Sequence, residues 1–185
     1  MAQFTVPGMS EKQGKEVAAL LQKQLSRYND LHLTLKHIHW NVVGPNFIGV
    51  HEMIDPQVTL VRGYADEVAE RIAALGQSPK GTPGAIMKDR TWDDYSVDRD
   101  TVQAHLGALD LVYNGVIEDT RKNIETLEDL DLITQDMLIS HAGEMEKFQW
   151  FVRAHLESAG GSLSHGGART ERGAAKAAKA AKKSA

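Results

Sequence analysis

Histidines and carboxylates in the first half of the chain, among them His39, His51, Asp55, Asp66 and Glu70, are of the types that bind metal ions. His39 and His51 bracket a Gly44-Pro45 break, so one histidine ends a helix, the other begins the next, and antiparallel packing brings them together. From His51 onward, His51, Asp55, Arg62, Asp66 and Glu70 fall near one another on the helical wheel, a polar stripe set apart from the apolar one. Neutral imidazole with hard carboxylate oxygens suits Fe(II), and a pair of acids at i, i+4 helps to neutralise the ferric product. Taken alone, however, Asp66 and Glu70 also describe an ordinary solvated helix face.

Distance decides how such a site can be built. The helix between His51 and Asp66, at about 1.5 Å per residue, separates them by roughly 22 Å, beyond the reach of one ion. His39 sits at the same end as His51, so the acids must come from a second subunit if a site forms. A two-fold axis near Val58 and Thr59 pairs His51 with Asp66 of an antiparallel partner helix, twice per dimer, and brings Asp55 towards Arg62. At the end of the first helix His32, His37 and His39 compete for the ligand role. His37 and His39 point about 200° apart, so only one of them can face the site. Glu-x-x-His motifs, which build a di-iron site within one four-helix chain, are absent, because no histidine has a glutamate three residues before it. An intrachain di-iron oxygenase or reductase is thereby disfavoured. His105, His141, His155 and His165 read as exposed or satisfied within the core, and Trp40 as an interface residue or an interceptor of stray oxidising radicals.

The elements that must position these residues follow from apolar periodicity. Val17, Leu20, Leu21, Leu25, Tyr28, Leu31, Leu35 and Ile38 predict a first helix over Ser10 to Ile38. A second is expected from Asn46 or Phe47 to Leu75, bent if anywhere at Pro56 and stopped by Gly76. Residues 76 to 95, rich in Gly and Pro, read as a long crossover with a short helical turn near Ala85 to Asp89. A third helix is placed at Val97 to Leu127 and a fourth at Leu132 to Ser158, with no convincing strand. Two hairpins joined by one long crossover give an all-α, ferritin-like four-helix bundle. The expected division is a tail over 1–9, the bundle over 10–160 and a flexible basic tail over 161–185.

Composition bounds the rest. The chain has 185 residues, no cysteine and a formal charge of -4, which rules out disulfides and thiolate metal sites. The start, MAQFTVPGMSEKQGK, lacks a signal-peptide core, and no stretch approaches the roughly 18 apolar residues of a membrane span. The expectation is a cytoplasmic protein with no membrane partner. The charge is split, since Arg169 to Ala185 carries six Lys/Arg against one Glu, a local +5 that leaves -9 on residues 1–168. Arg169, Arg172, Lys176, Lys179, Lys182 and Lys183 therefore read as a sequence-independent DNA-binding tail, and its alanine-rich composition as disordered in isolation.

HIHWNVVGPNFIGVHEMID followed by the DEVAERI run resembles the Dps miniferritins, DNA-binding proteins from starved cells, and the mycobacterial members in particular. The resemblance spans all four expected helices. It implies a shell of twelve subunits with ferroxidase sites at two-fold interfaces, two Fe per site, and a ferric mineral inside. By position it makes His39 and His51 the ligands from one subunit, Asp66 and Glu70 those from its neighbour, and Asp55 an additional acid. It also implies oxidation of Fe(II) by hydrogen peroxide, or more slowly dioxygen, and association with the nucleoid. Acidic three-fold pores are implied too, with Glu118, Asp119, Glu125, Glu128, Asp129 and Asp131 as candidates that equally suit a solvated helix end. The rival readings are a DNA-compacting protein whose metal site only staples the dimer, and a zinc-stabilised binding module.

Overall fold

Ser10 starts the first element with a capping box: its hydroxyl accepts the Gln13 N–H at 3.2 Å, and the Gln13 side chain takes the Ser10 N–H. In this computed structural model, which describes residues 5–158 and 161–181, helix α1 (Glu11–Asn41) buries Val17, Leu21, Leu25, Tyr28, Leu31, Leu35 and Ile38. Each such side chain contributes about 1.5–3 kcal/mol by leaving water. Gly44 at φ 95° and Asn46 at φ 66° then reverse the chain within a few residues. Helix α2 (Phe47–Ala74) continues through Pro56, buries Val50, Ile54, Val61, Val68 and Ile72, and ends before Gly76 at φ 77°. The α1–α2 hairpin is thus set by one stripe on each helix and a left-handed turn.

The crossover contains α3 (Pro83–Asp89), entered from Thr82 with proline at its first position. Arg90 and Trp92 tie the crossover to α1, with the indole N–H donating to Asp30 at 2.7 Å. The third long helix starts later than expected. Residues 97–101 are not helical, and Val42–Val43 (β1) pairs in parallel with Asp100–Thr101 (β2), a ladder absent from the sequence reading. Thr101 is the cap, its hydroxyl accepting the Ala104 N–H at 3.4 Å. Helices α4 (Val102–Leu127) and α5 (Leu132–Leu156) form the second hairpin, with Asp131 capping α5. Packing of α1 on α2 and α4 on α5, joined by the crossover, is the expected all-α bundle.

The expectation of a disordered tail fails over much of its length. Helix α6 (Glu171–Ala181) lies on α4, burying Ala174, Ala175 and Ala178. No large apolar side chain is needed, because Gly107 lets the backbones meet: a Cβ there would lie 2.8 Å from the Ala174 carbonyl oxygen and 2.9 Å from the Ala178 Cβ. Polar anchors complete the docking. The buried His165 donates through Nε2 to Asp110 at 2.8 Å, Glu171 accepts the Ser96 N–H at 2.9 Å, and Lys179 reaches Asp100 at 2.6 Å.

Candidate metal centre

His39 closes α1 and His51 opens α2, and the tight turn between them makes each the neighbour of the other. Nδ1 of His39 lies 3.0 Å from the His51 carbonyl oxygen, Nδ1 of His51 lies 2.9 Å from that of His39, and the rings stack at 3.6 Å. A carbonyl only accepts, so each Nδ1 carries the hydrogen and each Nε2 keeps its lone pair. This is the tautomer a metal requires, fixed by a backbone acceptor behind the ring. Contacts separate the three α1 histidines. His37 turns away to the Val97 carbonyl at 2.9 Å, and His32 sits, half buried, in a groove of ≈ 420 Å³ that Asp66 and Arg62 also line. Asp55 lies on the Nδ1 side of His39, at 3.2 Å, and accepts from Lys36 at 3.0 Å. The hydrogen bond from Lys36, followed by the nearby His39, holds the exposed Asp55 carboxyl below its ordinary range.

Asp66 and Glu70 are exposed farther along α2 and do not join the histidines. Among the described residues no three His, Asp or Glu side chains converge on one point within the chain. The chain therefore carries two paired histidines at one end of α2 and two exposed acids towards the other. Around the histidines, Leu33, Trp40, Phe47 and Ile48 are 54, 70, 43 and 53% exposed, and Phe47 meets His51 edge-on at 6.2 Å. A cluster of large exposed apolar groups beside them marks an interaction surface. Of these four only Trp40 stood out in the sequence; the signal for the others was their position outside the buried stripes of α1 and α2.

Two of the pore candidates have intrachain partners. Asp119 pairs with Arg27 at 2.9 Å, and Asp131 is buried against Arg71 at 2.6 Å and Thr134. Glu118, Glu125, Glu128 and Asp129 are exposed. Of the tail cations, Arg169, Arg172, Lys176 and Lys179 are exposed, although Lys179 contacts Asp100 and Arg172 reaches the Ser96 carbonyl. Lys182 and Lys183 lie outside the described residues.

Comparison with known proteins bears on the family and the fold. A ferritin-like domain family model matches residues 18–159. The chain is 82% identical over 175 residues to the DNA protection during starvation protein of Mycolicibacterium smegmatis, covering 95% of this chain and 96% of that protein. It is similar to the solved structure of Mycobacterium smegmatis Dps, with a TM-score of 0.91 and 82% identity over 94% of this chain and 99% of that one. It is also similar to DpsA14 from Streptomyces coelicolor, with a TM-score of 0.86 and 58% identity over 87% and 96% of the two chains.

Proposed function

The chain belongs to the ferritin-like family and, within it, to the Dps proteins, and from that premise we propose that it is a ferroxidase and iron-storage shell that also binds and protects DNA. The observation that carries this reading is the reciprocal lock of His39 and His51, which leaves both Nε2 atoms ready to bind. Asp66 and Glu70 of the partner subunit complete the site across a two-fold axis, twice per dimer, within a homo-dodecamer. The exposed apolar cluster of Leu33, Trp40, Phe47 and Ile48 supplies the surface that such a contact buries. Asp55 lies behind His39, where its charge favours metal binding through the imidazole.

Iron is the substrate. Two Fe(II) held side by side each give one electron to a single hydrogen peroxide, which is reduced to water or hydroxide without releasing hydroxyl radical; dioxygen serves more slowly. The ferric product is stored as mineral. The tails bind DNA phosphates without reading sequence, and many weak tails on one shell act together through effective concentration. Docking of α6 leaves Arg169 and Lys176 exposed for this purpose. The protein works in the cytoplasm, on the nucleoid.

Mixing anaerobic Fe(II)-loaded protein with peroxide and following ferric absorbance tests the enzyme. His51→Ala and Asp66→Ala should each slow oxidation strongly and stop mineral growth, while particle mass in solution reports assembly. Unchanged oxidation in both variants would leave the rival reading, a DNA-compacting protein with a purely structural site. Removal of residues 169–185 should abolish or greatly weaken retardation of DNA at low salt; full retention would refute the tail assignment.

A further inference from the structure

Inside the bundle, away from the histidine half-site, Tyr28 of α1, His141 of α5 and Glu67 of α2 form a line of hydrogen bonds across three helices. The Tyr28 hydroxyl lies 3.3 Å from Nδ1 of His141, whose Nε2 lies 2.8 Å from Oε2 of Glu67. An ionised carboxylate only accepts, so Nε2 carries the hydrogen, Nδ1 is the acceptor and the phenol donates to it. Tyr64 stacks on the imidazole at 3.9 Å and the Tyr28 ring meets it edge-on at 5.6 Å. Tyr28 is 0% and His141 1% exposed, whereas the Glu67 side chain is 57% exposed. Burial pushes the Tyr28 phenol far above its usual range and holds His141 below its own, so the pair stands as phenol and neutral imidazole. A buried polar group left without a partner costs about 1–3 kcal/mol. Here every group is satisfied, in one direction, and the line opens to solvent at a residue lying between Asp66 and Glu70 in α2.

We propose that Tyr28 is a one-electron donor, with His141 as its proton acceptor, that quenches oxidising radicals arising at the iron site completed by the same subunit's Asp66 and Glu70. The inference rests on the ferroxidase reading for its oxidant: peroxide that meets a single Fe(II) yields Fe(III), hydroxide and hydroxyl radical. That radical takes an electron from Tyr28 and becomes hydroxide, while the phenol proton moves to Nδ1 of His141. A neutral tyrosyl radical remains beside an imidazolium, which faces the Glu67 carboxylate. A further Fe(II) returns the electron and becomes Fe(III), His141 returns the proton, and the phenol is restored. Trp40 lies at the histidine half of the site, so Tyr28 covers the half that Trp40 does not.

Two arms test this in the assembled protein. In one, iron-limited protein is mixed with peroxide and freeze-quenched for electron paramagnetic resonance; in the other, iron-free protein is oxidised by azide radicals from pulse radiolysis. A neutral tyrosyl signal, narrowed by ring-deuterated tyrosine, is expected in both. Tyr28→Phe should lose it, and His141→Gln should weaken it several-fold while oxidation at saturating iron stays at the wild-type rate. An undiminished signal in either variant overturns the proposal. Should Tyr28→Phe fail to assemble, His141→Gln with ring-deuterated tyrosine decides by the same criterion. A Tyr28-dependent radical in the iron-free arm without any iron oxidation supports the donor and rejects the ferroxidase reading. Normal iron oxidation with no Tyr28-dependent radical in either arm rejects the donor alone.

Discussion

His39 and His51 each donate to the other's backbone, and that reciprocity is invisible in a list of residue types. Their spacing around Gly44-Pro45 was legible, as was the distance that keeps Asp66 away. The orientation of His37 was not, because it depends on where the Val97 carbonyl arrives after a long crossover. The buried histidines carry a prediction of their own. Burial first of all holds His32, His105 and His141 below their ordinary range. The unfolded chain takes up these protons near pH ~6.5, before the folded chain does, so their contribution is fully present above that value and is lost as pH falls towards the folded pKa values. The urea midpoint should therefore drop between about pH 7.5 and about pH 5.5, and His141→Gln should flatten that slope. An equally steep decline in the variant would show that His141 does not carry its share.

Helix-scale order followed from the sequence where one apolar stripe met a capping residue, as in α1 from Ser10. It failed for α6, whose alanine-rich composition points to disorder in isolation. The partner of those alanines is Gly107, far away in the chain, and only the folded pair shows that a missing Cβ on α4 is what an alanine face requires. The β1–β2 ladder escaped notice for a related reason, since two-residue strands leave no period to detect. An isolated helix of α6's length is marginal in water, so its order depends on docking. Gly107→Val should release it, because its Cβ alone would lie 2.8 Å from the Ala174 carbonyl oxygen. Backbone amides of 171–181 should then exchange hydrogen faster and trypsin should cut sooner at Lys176 and Lys179, with the four-helix core unchanged. Unaltered exchange would mean that the polar anchors at His165, Glu171 and Lys179 suffice without close backbone contact.

At the scale of the whole molecule, a charge of -9 on residues 1–168 against +5 on the tail is the distribution that, on the proposed reading, directs DNA to the tails and away from the body. On the proposed reading the two halves of the site lie roughly 22 Å apart on one chain, at about 1.5 Å of rise per residue, and assembly is the condition for iron chemistry. This has a consequence that no intrachain site shares. In a two-fold dimer of one His51→Ala subunit with one Asp66→Ala subunit, both lesions fall in the same site and the other site is intact. If the variants are dissociated, mixed equally and reassembled at random, half of the dimers are of this mixed kind and about a quarter of all sites are restored. Peroxide-dependent Fe(II) oxidation by the mixture should thus recover to about one quarter of the wild-type rate, although each variant alone stays slow. A mixture no faster than its components, with mixed particles verified by mass, would place His51 and Asp66 in separate sites and remove the two-fold centre from the account.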